Sequence, residues 1–313
     1  MGRDGEQVFM RLSNKRALVT GAAGFIGHHL VKRLTRIGAE VVALDNFSIG
    51  KKENLKLFEG EIMEADVCER NLIRRIKGDI DFILHFGAPS SVILFNRDLV
   101  KRFDETVSGF LNIMELAKEK NVEKVVYPSS GSLYGKSTRP QSENMKPQPA
   151  NLYGVAKLTC EEIARLYQYA VKSVGLRIFA GYGPGEDHKG EIASPVTIFL
   201  KAIMKDESPI VYGDGTQSRD FVYIDDVIEA IIKATEKETH QIMNVGSGRT
   251  YTFNYVIKVI NELLGKNVKP RYIHKPLNYL ERTQADISLM KNALAIEPLT
   301  LEKGLKRYLD CIQ

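Results

Sequence analysis

Tyr153 and Lys157 stand four apart in the stretch Tyr153-Gly154-Val155-Ala156-Lys157. In a helix that spacing puts the phenol and the ammonium on one face, with Cβ atoms about 5–6 Å apart. A phenol near its reference pKa of about 10 is a poor base at neutral pH, and bringing it to about 7 takes roughly 4 kcal/mol of differential stabilisation. One ammonium at about 4 Å, at an effective dielectric of about 20, supplies roughly that much. The pair is therefore a candidate for proton transfer. An ordinary solvated helix carries the same spacing, so the assignment depends on what the chain places beside it. Upstream, Pro128-Ser129-Ser130-Gly131-Ser132-Leu133-Tyr134-Gly135 follows an apolar run and is rich in hydroxyls. Such a turn at a strand's end can present O–H groups to a ligand, although a plain loop has the same composition.

The elements that must position these residues begin with Ala17 to Thr20, a short apolar run that ends in Gly21-Ala22-Ala23-Gly24-Phe25-Ile26-Gly27. Helical periodicity follows over His28 to Ile37. In this strand, glycine turn and helix, Gly21 permits the tight turn, Gly24 admits a pyrophosphate to the backbone, and Gly27 lets the helix pack on the strand. The next strand, Glu40 to Leu44, ends in Asp45. An acid about 20 residues beyond the first glycine binds both ribose hydroxyls and repels a 2′-phosphate, so the combination favours NAD over NADP. Asp66-Val67 is a candidate adenine contact. Ile80 to Phe86 reads as a buried strand, after which Gly87 and Ala88 leave room for a ligand where open α/β sheets bind them. His85 is read as a satisfied core residue. Asp104 to Lys120 is an amphipathic helix and Val122 to Tyr127 a strand. Tyr153 opens a helix expected to run to Lys172, and a strand covers Leu176 to Phe179.

Further on, Ala193 to Met204 reads as a helix with Pro195 in its first turn. Pro209 to Tyr212 and Phe221 to Ile224 read as strands, and Asp225 to Lys237 as a helix. Met243 to Gly246 is expected to return to the edge of the main sheet, and Phe253 to Leu264 to be helical.

The 313 residues, 43% of them hydrophobic, suit one large domain or two sharing an interface. The net charge of +5, from 44 basic and 39 acidic residues, is spread without a long run, which argues against a nucleic-acid partner. No apolar run reaches the roughly 18 residues of a membrane span, and the first residues lack a charged-then-apolar leader pattern. Cys68, Cys160 and Cys311 are odd in number and far apart. A reducing compartment, the cytoplasm, is expected. Residues 1–14 read as a polar N-terminal extension, and His28-His29 as an exposed first turn; no metal site is expected.

Taken together the motifs are Gly21-x-x-Gly24-x-x-Gly27, Asp45, Asp66-Val67, His85-Phe86-Gly87-Ala88, Ser129-Ser130-x-x-x-Tyr134-Gly135, Tyr153-x-x-x-Lys157, Tyr182-Gly183-Pro184 and Gly213-Asp214-Gly215-x-x-x-Arg219-Asp220-Phe221. With them the sequence resembles an extended short-chain dehydrogenase/reductase of the nucleotide-sugar epimerase and dehydratase group, UDP-glucose 4-epimerase-like, over about residues 15 to 310. The resemblance implies an α/β fold, a Rossmann doubly wound parallel sheet with a smaller C-terminal α/β substrate domain. It places NAD binding in 15–179, with 219–248 returning to that domain, and the sugar nucleotide in 180–218 and 249–313. It makes Tyr153 the base, Lys157 its electrostatic partner and ribose ligand, and Ser130 the hydroxyl on the reacting oxygen. Phe25, Ile26, Asn46, Ser48, Phe86 and Ser129 join the glycines, Asp45, Asp66, Val67, Gly87 and Ala88 as NAD contacts. Arg219 resembles the family's diphosphate-binding arginine, and Arg282 is a second phosphate candidate. Ser90, Ser132, Ala180, Tyr212 and Thr283 complete the expected substrate side.

Alcohol oxidation needs a base at the hydroxyl, a hydride acceptor behind the carbon, and a donor that strengthens as charge develops on oxygen. Several family reactions share that first step. The 4,6-dehydratases of the group place Asp-Glu after the catalytic Thr, where this chain has Gly131-Ser132, and related decarboxylases carry Glu at the place of Ser132. Reductases of the group commonly use NADPH, against Asp45. Reversible 4-epimerisation of a UDP-sugar is the reading the resemblance favours, with a dehydratase, a decarboxylase or a non-catalytic NAD or nucleotide-sugar sensor as alternatives. Thr106 and Ala180 stand where the family often has Asn, which leaves the sugar open. A C₂ homodimer is expected, as in the family.

Overall fold

The structure, a computed structural model, describes residues 12–237, 240–275 and 279–312. The chain alternates strands and helices, and the strands are β1 (Arg16–Thr20), β2 (Glu40–Asp45), β3 (Glu61–Glu64), β4 (Phe82–His85), β5 (Lys124–Ser130), β6 (Ser173–Ile178), β7 (Ala180–Tyr182), β8 (Ile210–Tyr212), β9 (Ser218–Arg219), β10 (Phe221–Tyr223), β11 (Gln241–Val245), β12 (Tyr251–Thr252) and β13 (Arg271–Ile273). The helices are α1 (Phe25–Arg36), α2 (Leu72–Arg75), α3 (Val92–Arg97), α4 (Leu99–Glu119), α5 (Leu152–Tyr167), α6 (Pro195–Met204), α7 (Ile224–Ala234), α8 (Phe253–Leu264), α9 (Ser288–Leu294) and α10 (Leu301–Ile312). Seven strands form one sheet in the order β11-β6-β5-β4-β1-β2-β3, so the expected return of Met243 to the sheet edge is met by β11. β1 pairs in parallel with β2 on one side and β4 on the other. Between β1 and β4 the strand order reverses, the place where open α/β sheets form a crevice at their carboxyl ends.

The chain divides into two compact units. The first comprises residues up to Ser129, Asn151–Arg177 and Ile228–Met243; the second comprises Ser130–Ala150, Ile178–Val227 and the residues from Asn244 onward. Relative to the expected boundaries, 130–150, 178–179, 219–227 and 244–248 group with the second unit. In the first unit, Leu18, Val42, Ile83 and Val125 of the sheet pack with Phe110, Ile113, Met114 and Ala117 of α4 and with Cys160 and Ala164 of α5. The second unit holds three two-stranded sheets, β10 with β7, β12 with β9 and β13 with β8.

Several element ends differ from the sequence expectation. Helix α4 starts at Leu99 because Asp98 caps it, accepting from Lys101 N at 3.3 Å. Helix α5 stops at Tyr167, where the N–H groups of Ala170 and Val171 turn back onto the Tyr167 carbonyl, and the Lys172 carbonyl already accepts from Val125 of β5. Ser129 and Ser130 are the last residues of β5 and not part of the turn, which begins at Gly131. Of the polar extension expected at 1–14, residues 1–11 lie outside the described residues. Leu12 is buried and Asn14 N donates to the Gly38 carbonyl, so residues 12–14 belong to the folded unit. Among the described residues no helix is long and apolar enough to cross a membrane.

Candidate active site

The glycine turn sits where β1 meets α1. Gly21 has φ +66°, a conformation that costs an L side chain about 1–2 kcal/mol, and a Cβ there would overlap the Phe86 carbonyl. A Cβ on Gly27 would overlap the Gly21 carbonyl, so helix and turn touch backbone to backbone. No side chain caps α1 and no acid occupies its first turn. That leaves the positive end of the helix suited to a phosphate, with Phe25 and Ile26 in its first turn. Asp45, at the end of β2, is buried and accepts from Ala23 N at 2.9 Å and Phe47 N at 2.7 Å. Burial raises its pKa against those two donors. Each carboxylate oxygen keeps acceptor capacity for a diol. Asn46 accepts from Ser48 N and donates to Asp66, which ties three of the expected cofactor residues together. Val67 is buried in the core beside Gly109, and its carbonyl accepts from Asn112.

Phe86, Gly87 and Ala88 follow β4 and face the glycine turn. Thr20 links them: its Oγ1 accepts from Gly87 N at 3.1 Å and lies 2.8 Å from His85 Nδ1. This satisfied, buried His85 is held neutral, its pKa pushed down to about 3 by burial and by the nearby Lys157 charge. His28 is half-buried rather than exposed, with Nδ1 beside the Gly24 carbonyl, and burial with the His29 charge takes its pKa down to about 4. Among the described residues no cluster of three or more His, Cys, Asp or Glu could hold a metal ion.

Asn151 caps α5 by accepting from Gly154 N at 2.9 Å, and this fixes where the helix begins. Its buried face carries Tyr153, Gly154, Ala156, Lys157, Cys160, Glu161 and Ala164. The Lys157 ammonium lies 5.8 Å from the centre of the Tyr153 ring. Lys157 is only 3% exposed, yet no hydrogen-bond acceptor or carboxylate among the described residues pairs with it. Burial lowers its pKa. Phe95 of α3 meets the Tyr153 ring edge to face at 5.4 Å, and Val92, the last residue of the Pro89-Ser90-Ser91-Val92 segment, packs in the same cluster; Ser90 itself is exposed. Ser130 is buried at the end of β5, and its Oγ accepts from Ser132 N at 3.1 Å, leaving its O–H to donate. Ser129 uses its hydroxyl on Glu161 at 2.5 Å.

In the second unit, Arg219 of β9 is half-buried with its guanidinium over the rings of Phe253, at 5.7 Å, and Tyr279, at 5.2 Å. It donates to the Ser218 carbonyl and makes no ion pair with any described residue. Tyr279 in turn meets the exposed Tyr212 at 6.1 Å. Thr283 N donates to Ser218 O and its Oγ1 accepts from Asp220 N, while Ala180 N donates to Asp220 O. Ala180, Arg219 and Thr283 thus converge on one short backbone stretch. Arg282 donates to the Thr138 carbonyl and to Gln284, so part of its fork is engaged within the protein. Asp220, Tyr279, Glu161, Arg177, Thr20 and Phe95 do not stand out in the sequence as site residues. Signals exist for two of them: Asp220 lies inside the Arg219-Asp220-Phe221 motif, and Glu161 lies one turn beyond Lys157.

The model of the NAD dependent epimerase/dehydratase family matches residues 17–246. The chain belongs to that family. A relative from Mycolicibacterium smegmatis, named UDP-glucose 4-epimerase, is 33% identical over 310 residues, 94% of this chain and 97% of the relative. A UDP-glucuronate 4-epimerase of Thermodesulfobacterium geofontis is 30% identical over 314 residues, covering 94% of each. The crystal structure of the UDP-glucose 4-epimerase of Thermus thermophilus in complex with NAD superposes with a TM-score of 0.86 at 31% identity, over 94% of this chain and 98% of that one. The α/β fold with its seven-stranded sheet is therefore the fold of these epimerases.

Proposed function

We propose that this chain is an NAD-dependent 4-epimerase of a UDP-sugar, an isomerase working through a 4-keto intermediate. The observation that carries the reading is the buried Lys157 ammonium, unpaired among the described residues and one helical turn from Tyr153. A positive charge held beside the ring favours the phenolate over the phenol and so lowers the cost of proton removal. The glycine turn, the uncapped α1 and the Asp45 carboxylate suit NAD, which when bound takes up a hydride and gives it back. Tyr153 would remove the O4 proton and return it, and Ser130 would donate a hydrogen bond to the reacting oxygen. Arg219, flanked by Phe253 and Tyr279, would hold the diphosphate while the 4-keto sugar turns to present its other face. Arg282, Thr283, Tyr212, Ala180 and Ser132 are the residues we assign to the sugar nucleotide, with Ser90 at the pocket rim.

The test is to incubate the purified protein, without added NAD, with UDP-galactose, UDP-N-acetylgalactosamine and UDP-glucuronate, and to follow inversion at C4. At least one should equilibrate with its 4-epimer, and Tyr153→Phe should abolish turnover while NAD stays bound. A product of altered mass with no inversion would replace epimerisation by dehydration or decarboxylation. Exposed Leu99, Val100 and Leu111 on α4 and Leu152 and Leu166 on α5 support a homodimer through these helices. The three unpaired cysteines support a cytoplasmic location.

A further inference from the structure

Glu161 lies on the buried face of α5 one turn beyond Lys157, the spacing at which a carboxylate and an ammonium pair on a helix. They do not pair. Both Glu161 oxygens are drawn the other way: Oε1 accepts from Arg177 Nε at 2.9 Å and Ser129 Oγ at 2.5 Å, and Oε2 accepts from Arg177 Nη2 at 2.7 Å. The two charged side chains are 5% and 6% exposed, so this fork is almost completely withdrawn from water. A buried ion pair is a weak source of stability, because desolvation offsets most of the attraction, and an apolar pair of similar volume does as well or better. What an apolar pair does not do is hold a carboxylate in a chosen direction. Arg177 is the last residue but one of β6 and Ser129 the last but one of β5, so the direction is set by two adjacent strands of the sheet.

We propose that Arg177 is a positioning residue that withholds the Glu161 carboxylate from Lys157 and so leaves the Lys157 ammonium to act on Tyr153. The proposal rests on reading Tyr153 and Lys157 as the proton-transfer pair. Without the guanidinium, Glu161 would be a buried carboxylate with one hydroxyl donor and an unpaired ammonium one turn away. Closing that Lys157–Glu161 pair would cancel the charge that favours the phenolate, and Tyr153 would become a weaker acid.

The experiment is an ultraviolet difference titration of tyrosinate in the full chain with NAD added, with Tyr153→Phe subtracted, together with the acid limb of kcat against pH. In Arg177→Met the Tyr153 transition should move up by about 1–2 units, with about a 10–100-fold loss of kcat at neutral pH. In Glu161→Gln/Arg177→Met both should return to the wild-type position, because the competing carboxylate is gone. Glu161→Gln alone should titrate Tyr153 as wild type does. If Arg177→Met does not fold, Arg177→Lys keeps a charge without the fork and should show a smaller shift in the same direction. An unshifted Tyr153 in the folded arginine variant, or an equal shift in Glu161→Gln, overturns the proposal. The titration needs no substrate, so a wild-type protein that inverts no sugar nucleotide counts against the epimerase reading and leaves this result standing.

Discussion

Glu161 in the first compact unit and Asp220 in the second are both buried next to candidate chemistry, and the two are held in opposite ways. Glu161 in the first unit is met by a guanidinium and a hydroxyl, all three groups being side chains. Asp220 in the second unit, fully buried beside Arg219, is met by Ser247 N at 2.6 Å, Ser247 Oγ at 2.7 Å, Ala285 N at 2.9 Å and Gly248 N at 3.0 Å. It has no cation among these partners. A side-chain pair can be replaced as a pair, because donor and acceptor leave together. A carboxylate that satisfies backbone N–H groups cannot, since those donors remain whatever the sequence becomes. Asp220 therefore fastens separate loops into one object, and Glu161 aims a helix.

The largest effect should come from Asp220→Leu. It leaves three backbone N–H groups buried without acceptors, at about 1–3 kcal/mol each, while the Ser247 hydroxyl keeps the Arg249 carbonyl, so a loss of at least about 3 kcal/mol is expected in urea unfolding. No second substitution should restore it. Arg177→Met is expected to cost about 3 kcal/mol, the low end for a broken buried pair because the Lys157 ammonium takes over the Glu161 carboxylate, and Glu161→Met/Arg177→Met to recover most of that. A double variant as unstable as the single one would break the comparison.

Next in size is a pH effect at the second carboxylate. Burial raises the Asp220 pKa from 3.8 to about 6, against the pull of its four donors. Between about pH 4 and pH 6 the folded state then holds a proton that the unfolded chain has released. Its contribution to stability accordingly grows as pH falls through 6 and is complete below about 4, the reverse of a salt-bridged carboxylate. Two units correspond to about 3 kcal/mol at most. The difference in unfolding free energy between wild type and Asp220→Asn should rise as pH drops from 7 to 4, and a flat difference would place the Asp220 titration elsewhere.

What the sequence makes legible is what is local along it. The glycine spacing, the acid ending β2, the α5 pair and the span of α8 follow from periodicities of a few residues. The carboxylates are legible as residues but not as devices, because their partners are set by sheet order and loop return. Arg177 meets Glu161 only since β6 lies beside β5, and Asp220 gathers donors from 247, 248 and 285. Nothing near Arg219 in sequence announces Phe253 and Tyr279 as its flanking rings. Helix α10 escapes a reading led by chemistry for another reason. Its buried Leu301, Gly304, Leu305, Tyr308 and Leu309 carry a full amphipathic period with no reactive group among them to draw attention to it.

The smallest test takes one hydroxyl from each carboxylate. Ser129→Ala removes a donor from Glu161, which keeps both contacts to Arg177. Ser247→Ala removes one of four from Asp220, which keeps three backbone donors. A hydrogen bond to a charged acceptor is worth about 1.5–3 kcal/mol, and a charge already paired loses less than one that depends on neutral dipoles alone. Ser247→Ala should therefore cost about 2 kcal/mol and Ser129→Ala about 1 kcal/mol, read as midpoint shifts at constant m-value. The reverse order would mean that the guanidinium leaves the Glu161 carboxylate under-satisfied, with the Ser129 hydroxyl completing its hold.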